Sequence, residues 1–169
     1  MLYSPSASVA FSGHRTYRGG ADESLRRIIC EACDRGSRTF LCGMAVGFDL
    51  SAAEAVLACR ERLPGLQLVA VIPFPGQAEL FSLEDRVRFG RILTFADRTV
   101  VLSDRYHRGV YRVRNNFLID HAAHLVAWFD GSPGGTEYTV RRALQLGRQV
   151  SNLCPAGPSF PPPAPVLFQ

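Results

Sequence analysis

The stretch FDGSPGGTEYT, residues 129–139, is the part of this sequence best suited to binding an anion. Asp130 ends an apolar run, and Gly134, Gly135 and Thr136 open an amphipathic one. Backbone N–H groups at a helix start bind anions, and glycine lets an anion come close. The stretch therefore predicts a phosphate-binding turn, with a capped turn that binds nothing as the alternative. It has neither the lysine of a Walker loop nor a GxGxxG pattern.

A second glycine-containing stretch, GMAVGFD, covers residues 43–49. Gly43 and Gly47 would allow a ligand to approach the backbone, and Met44 lies between them in the same predicted turn. Asp49 would accept a hydrogen bond from a ribose hydroxyl or, equally, would stabilise the start of the following helix. We place these four residues at the predicted ligand site.

The stretch SGHR follows the first apolar run of the chain. Ser12 and Gly13 predict a tight turn with a free hydroxyl. His14 and Arg15 could donate to an oxyanion or stack on a base. The alternative is an ordinary strand-to-helix turn with a solvated arginine.

A fourth candidate is the stretch RVRNN near residue 114. Arg114 could clamp a phosphate with two hydrogen bonds, and Asn115 follows it directly. A solvated helix face is the alternative interpretation of both residues. Tyr106 and Tyr111 precede them and could stack on a base or cover the core.

The elements that must position these turns alternate between strand and helix. Strands are predicted at 6–11, 38–43, 66–73, 98–103, 124–129 and 148–153, and helices at 22–36, 48–63, 82–96, 112–122 and 135–146. Such alternation predicts an α/β fold, a three-layer α/β/α sandwich with a mainly parallel six-stranded sheet. Ligands of open parallel sheets bind beyond the carboxyl ends of the strands, where the candidate turns would meet.

Composition is that of a globular protein with one folded domain. The chain has 169 residues, of which 47% are hydrophobic and 20% charged. We expect this domain at residues 1–154, followed by a proline-rich tail at 155–169 that is a linker or a disordered end. The last four residues, VLFQ, match the start of a viral-protease cleavage site and are interpreted as an appended sequence.

Charge and targeting signals give weaker expectations. The net charge is +4 with no lysine, which is too small and dispersed to indicate a nucleic-acid partner. No apolar run approaches the roughly 18 residues of a membrane span, so no membrane association is expected. The first residues, MLYSPSASVAF, do not resemble a signal peptide, and we therefore expect a cytoplasmic protein.

The cysteines and histidines do not predict a metal site. Five cysteines are scattered along the chain, and Cys30 and Cys33 form a CxxC inside a predicted helix without a second pair. His121 and His124 lie on either side of a helix end and a strand start. We expect these cysteines to be small buried side chains and the site to contain no metal.

Taken in order, these turns resemble one family. SGHR, GMAVGFD, the pair Pro73 and Phe74, YHRGVYRVRNNFLID and DGSPGGTEYTV are similar in order and spacing to the YpsA-like branch of the SLOG superfamily. That Rossmann-like superfamily includes the Lonely Guy phosphoribohydrolases and the DNA-processing protein DprA/Smf. The resemblance covers roughly residues 9–153.

The resemblance implies a Rossmann-like fold that binds or senses a nucleotide or nucleotide-derived ligand, either related to ADP-ribose and NAD or a nucleoside phosphate. Gly134, Gly135 and Thr136 would hold a phosphate, and no other cofactor is implied. Asp49 or Asp130 would accept from a ribose hydroxyl. A homodimer is expected because related folds commonly form one.

Two alternatives follow from other members of the superfamily. The first is a Lonely Guy-like hydrolase of nucleoside monophosphates, with Glu137, Asp49 or Glu84 as acid or base and Arg114 as phosphate anchor. Glu137 follows Thr136 directly, so it does not stand where the PGGxGTxxE signature has its acid. The second alternative is a single-strand nucleic-acid binder similar to DprA.

Overall fold

The computed structural model of this protein describes residues 4–162 and contains one six-stranded, wholly parallel sheet. The strands are β1 (Ser8–Gly13), β2 (Thr39–Cys42), β3 (Gln67–Ile72), β4 (Arg98–Val101), β5 (His124–Trp128) and β6 (Gln149–Asn152). The helices are α1 (Asp22–Asp34), α2 (Phe48–Cys59), α3 (Leu83–Phe95), α4 (Val110–Asp120) and α5 (Gly135–Gln145), and a short 3₁₀ turn covers Pro5–Ala7. The α/β class and the Rossmann-like three-layer architecture are thus confirmed.

A local sequence signal explains where helix α3 begins. The hydroxyl of Ser82 accepts a hydrogen bond from the Asp85 N–H at 3.1 Å, so Ser82 caps α3 as its position predicts. Helix α2 ends at Cys59 rather than at residue 63, and the chain leaves it through a turn in which the Arg62 N–H donates to the Cys59 carbonyl at 3.1 Å. The other helix and strand boundaries lie within three residues of those predicted.

The core consists of two apolar clusters, one on each face of the sheet. Helices α1, α2 and α3 cover one face, with Phe11, Phe40 and Phe48 fully buried between them and the strands. Helices α4 and α5 cover the other face, where Leu118 and Val140 pack on the sheet. Because the central strands are buried on both faces, they are continuously apolar rather than alternating.

Strand order reverses at β1, and this reversal positions the candidate site. The order is β4-β3-β2-β1-β5-β6, so β1 pairs with β2 on one side and with β5 on the other. The chain leaves β1 and β5 side by side, and the His14 N–H bonds to the Trp128 carbonyl at 3.2 Å. A crevice beyond the carboxyl ends of strands at such a reversal is the usual ligand position in this class of sheet.

The first residues of the proline-rich segment lie against the domain. The Asn152 side chain donates to the carbonyls of Phe129 at 2.8 Å and Pro158 at 2.9 Å, and Phe160 packs on the cluster under α4 and α5. The domain boundary at residue 154 stays a prediction, and the VLFQ sequence lies outside the described residues. None of the helices in residues 4–162 has the length and apolar character needed to cross a membrane.

Candidate functional site

A cavity of about 530 Å³ lies at the carboxyl edge between β1 and β5. Nine of the residues predicted at the ligand site line it: Ser12, Gly13, His14, Arg15, Asp49, Arg114, Asn115, Gly135 and Thr136. Tyr111, which the sequence leaves as either a base-stacking or a core residue, also lines the cavity, and four lining residues were not predicted at all: Thr16, Ala45, Ser132 and Pro133. Gly43, Met44, Gly47, Pro73, Phe74, Asp130 and Gly134 are not in the lining.

The start of α5 supplies unpaired backbone donors to this cavity. In residues 4–162, the N–H groups of Gly135, Thr136 and Glu137 donate no hydrogen bond. Gly134 precedes them with φ 147°, and a Cβ added to it would have no heavy atom within 4 Å. The first turn of a helix with free N–H groups and open space in front of it can accept an anion.

Hydrogen bonds to the Asp130 carboxylate stabilise the turn before α5. One Asp130 carboxylate oxygen accepts from the Ser132 N–H at 2.9 Å and the Ser132 hydroxyl at 2.6 Å. The same oxygen lies 2.7 Å from His14 Nε2, which joins the ends of β5 and β1. The Ser132 hydroxyl bond, followed by the Ser132 N–H bond, holds the pKa of Asp130 below its ordinary value. One oxygen of Asp130 is therefore engaged within the protein, and the other accepts no hydrogen bond from residues 4–162.

Arg114 brings a buried positive charge to the cavity. Its side chain lies on α4, and the residue is only 6% exposed. Nε donates to the Asn115 side-chain oxygen at 2.7 Å, one terminal nitrogen donates to the Gly43 carbonyl, and Nη2 donates no hydrogen bond within residues 4–162. Burial lowers the pKa of Arg114, and the nearby Asp49 carboxylate opposes that shift. An arginine stays protonated in such a position, so the charge is fixed at the cavity wall.

Asp49 connects two of the turns rather than presenting a free carboxylate. One of its oxygens accepts from the Gly13 N–H at 3.2 Å, and the other accepts from the Ala45 N–H at 3.3 Å. The residue is 4% exposed, and this burial raises its pKa to about 6, although the charge of Arg114 works in the opposite direction. Asp49 therefore holds the turns after β1 and β2 together.

Three glycines of the predicted site are required by the protein's own packing. A Cβ on Gly13 would lie 2.4 Å from the Phe48 Cβ, and one on Gly43 would lie 2.5 Å from an Arg114 nitrogen. Gly47 has φ 83°, and a Cβ there would lie 2.7 Å from the His14 carbonyl oxygen. Close approach at these positions is thus made by protein atoms.

The Tyr111 ring lines the cavity and belongs to a group of aromatic side chains. The Arg15 guanidinium lies 5.4 Å from the centroid of the Tyr111 ring, and Arg114 lies 5.9 Å from it. Phe74 and Tyr106 extend this group, with ring centroids 5.6 Å apart. Tyr111 precedes Arg114 by three residues on α4, and this helical spacing is the signal that could have assigned it to the same face.

The three carboxylates considered as acid or base in the hydrolase alternative do not lie in the same cavity. Glu137 forms an ion pair with Arg141 one helical turn away and does not line the cavity. Glu84 lines a second cavity, next to the first. Asp49 alone among these three lies in the first cavity. In the described part of the chain, no three His, Cys, Asp or Glu side chains are grouped so that they could hold a metal ion.

Comparison with known proteins assigns the family. The sequence profile of YpsA, described as the YspA SLOG family, matches residues 11–152. The chain belongs to the YspA SLOG family. A Bacillus subtilis relative, the uncharacterized SPbeta prophage-derived protein YoqJ, is 26% identical over 130 residues, covering 69% of this chain and 76% of its own. A UPF0398 protein of Bacillus thuringiensis is 27% identical over 128 residues, covering 74% and 70%.

Solved structures share the fold of this SLOG protein at low sequence identity. DNA processing protein A from Streptococcus pneumoniae superposes with a TM-score of 0.60 and 18% identity, over 88% of this chain and 50% of its own. The Helicobacter pylori protein of the same name gives 0.62 and 15%, over 86% and 64%, and is described as having a single-stranded DNA binding mode. This chain therefore spans half to two thirds of those proteins.

Proposed function

We propose that this SLOG protein binds a phosphate-containing nucleotide in the cavity between β1 and β5. The observation that carries the proposal is the meeting of two kinds of anion donor in one cavity. Free N–H groups at Gly135 and Thr136 face it from α5, and the fixed charge of Arg114 faces it from α4. Backbone donors and a guanidinium together are a common way to hold a phosphate.

The balance of charge in the cavity supports an anionic ligand. Arg15 and Arg114 are the arginines in the lining, and Asp49 is its acid. Each Asp49 oxygen already accepts a backbone N–H group, whereas the α5 N–H groups and Nη2 of Arg114 are donors without a partner in residues 4–162. A phosphate matches such a site better than a cation or an apolar molecule does.

The rest of a nucleotide has a matching surface beside the phosphate position. The volume of about 530 Å³ falls within the range of small-molecule sites. The Tyr111 ring and the exposed Arg15 guanidinium offer flat faces on which a base can stack. Binding in this arrangement needs no chemical step, and the proposal is for a binding or sensing role.

The test is a thermal-unfolding and calorimetric comparison of AMP, ADP, ATP and NAD with the intact chain. A ligand present at 100 times its Kd raises the free energy of unfolding by about 2.7 kcal/mol, which raises Tm by roughly 5–10 °C for a chain of this size. Gly135→Asp puts a carboxylate among the free N–H groups and should abolish the shift. Gly90→Asp is the matched control, since Gly90 is exposed on α3 with no heavy atom near its Cβ position.

Two results would contradict the proposal. One is the absence of a shift with every nucleotide. The other is a shift that Gly135→Asp leaves unchanged, because the ligand would then bind away from the α5 turn. Incubation of a bound ligand followed by chromatography separates sensing from the hydrolase alternative, which predicts release of the free base.

Single-strand nucleic-acid binding is the second candidate, although the charge pattern had argued against a nucleic-acid partner. The description of the Helicobacter pylori neighbour favours it. Tyr106 is 62% exposed and lies among the exposed Arg105 and Arg108, a combination on which bases can stack. This candidate predicts strongly salt-dependent binding of oligothymidine, weakened by Tyr106→Ala and insensitive to nucleotides.

A further inference from the structure

The outer side of α3 exposes a row of apolar side chains, which we call the α3 row. Leu80, just before the helix, is 98% exposed, and Leu83 and Val87 on the helix are 75% and 63% exposed. Positions 83, 87, 90 and 94 follow one another at intervals of three and four, so they lie along one side of the helix. Adjacent exposed apolar side chains of this size indicate contact with another molecule.

Gly90 lies in the α3 row, in the middle of the helix. A glycine inside a helix is less stable there than an alanine. Packing within the protein does not require it, because a Cβ at Gly90 would have no heavy atom within 4 Å. The missing side chain instead leaves the backbone of α3 open to close contact with a second helix.

An apolar groove of about 720 Å³ lies beside the α3 row, between α2 and α3. Its apolar lining residues are Leu57, Ala58, Ile92 and Phe95. The groove adjoins the end of α3, whereas the exposed leucines stand at its start. A two-fold axis through the middle of α3 would therefore place the leucines of each copy at the groove of the other, so that every contact forms twice.

Two charges beside the α3 row fit the same arrangement. Glu84 follows Leu83 directly, and Arg91 lines the groove. Neither charged side chain forms an ion pair or hydrogen bond within residues 4–162. Two antiparallel α3 helices would bring Glu84 of one copy toward Arg91 of the other, whereas parallel helices would bring like charges together. The charge pattern therefore favours the antiparallel orientation.

We infer that two copies of this chain associate through the α3 row and its groove, with their α3 helices antiparallel about a two-fold axis near Gly90. A homodimer was expected from related folds without a surface to form it. The exposed row, the groove and the two unpaired charges supply that surface. No residue lining the proposed nucleotide cavity belongs to it, so the inference does not rest on the proposed function.

The experiment is sedimentation velocity of the full chain at several concentrations. The wild type should approach twice the chain mass of 18.6 kDa as its concentration rises. Leu83→Glu should raise the Kd of the dimer about tenfold or more, because it places a charge in an apolar contact. Leu144→Glu is the matched control, since Leu144 is a partly exposed leucine on α5, away from the α3 row.

Charge reversal tests the antiparallel orientation. Glu84→Arg and Arg91→Glu should each raise the Kd of the dimer roughly threefold to tenfold, because each ion pair forms twice. The two reversals combined should restore the wild-type Kd. Gly90→Asp should separate the copies and leave the nucleotide-induced rise in Tm intact, which distinguishes self-association from the proposed nucleotide site.

Three results would overturn the inference. The first is a monomer at every concentration, and the second is a dimer that Leu83→Glu weakens no more than Leu144→Glu does. The third is a double charge reversal that fails to restore the dimer, which would exclude the antiparallel contact. Circular dichroism checks that the variants fold, and the charge reversals decide the question if Leu83→Glu does not.

Discussion

Two glycine-rich turns at the same edge of the sheet are alike in sequence and differ in their surroundings. In the β2 turn, residues 43–47, a Cβ on Gly43 or Gly47 would lie within 2.7 Å of protein atoms. In the β5 turn, residues 130–134, a Cβ on Gly131 or Gly134 would meet no heavy atom within 4 Å. The first turn is filled by the protein, and the second is open.

The difference shows that a glycine can make room either for other atoms of the protein or for open space. In the β2 turn it admits Arg114 and the backbone of the loop after β1, so that Asp49 can bond to both turns. In the β5 turn it leaves the donors of α5 uncovered. The open turn has free space at its glycines, whereas the closed turn contributes Ala45 to the cavity lining.

The largest expected effect is that of Gly47→Ala in the β2 turn. The new Cβ would have a strained φ of 83° and would meet backbone oxygens of His14 and Arg15 at 2.7 and 2.8 Å. Backbone atoms cannot move aside cheaply, so we expect a loss of about 3 kcal/mol or more in the free energy of unfolding. Urea denaturation measures it.

Gly131→Ala is the matched control for that substitution. Its φ of 96° is also positive, but its Cβ would have free space. The cost should therefore be about 1 kcal/mol, from backbone strain alone. Equal losses in the two variants would show that packing does not distinguish the turns.

A smaller effect is expected from the pH dependence of Asp49. Because burial raises its pKa to about 6, above the value of about 3.9 in an unfolded chain, the folded state binds the proton more tightly. The stabilisation is complete below pH 4 and is lost as pH rises through 6. Between pH 4 and 7 the free energy of unfolding of the wild type should fall by about 2 kcal/mol relative to that of Asp49→Asn.

The quantity to measure is the difference in the free energy of unfolding between the wild type and Asp49→Asn, determined by denaturation at several pH values. Burial lowers the pKa of His124 to about 4, so that residue stabilises the fold above pH 6.5 and this contribution is lost as pH falls through 4. Its contribution is common to both proteins and cancels in the difference. A pH-independent difference would mean that Asp49 titrates at its ordinary value.

In the open turn, Gly135→Ala should leave the fold almost unchanged. Its Cβ would lie 3.7 Å from the Asn115 side-chain nitrogen, an ordinary contact, so we expect a change below about 0.5 kcal/mol in unfolding. The methyl group would stand at the proposed phosphate position and reduce nucleotide affinity. A large loss of stability would show that this turn is as closed as the β2 turn.

The smallest effect concerns Ser132→Ala. Removing the hydroxyl takes away the strongest cause of the lowered pKa of Asp130, so that pKa should rise toward its ordinary value. Carbon NMR titration of the Asp130 carboxyl group measures the shift. An unchanged titration would mean that the His14 contact, rather than the serine, fixes the acid in the turn.

The order of strands and helices was predictable because apolar runs and helix signals are local. Ser82 before an acidic turn and Gly135 after an apolar run predict helix starts from a few neighbouring residues. The predicted position of the turns beyond the strand ends follows in turn from the parallel sheet.

The environment of the site residues was not predictable, because it depends on distant contacts. Arg114 was expected to bind phosphate or to face solvent, but its bond to the Gly43 carbonyl joins residues far apart in sequence. Asp49 was expected to cap its helix or hold a ribose, yet its partners are Gly13 and Ala45. Sequence alone also cannot distinguish a glycine that makes room for protein atoms from one that leaves space open.

The pairing of β1 with β5 has a consequence for how the molecule is assembled. Phe11 pairs with Val126, so the crevice joins an early segment of the chain to a late one. During synthesis it cannot exist until β5 and α5 have left the ribosome, and such distant pairings form slowly. A ligand bound in the crevice would then contact both segments. It would raise the free energy of global unfolding rather than only reduce the local opening of a single loop.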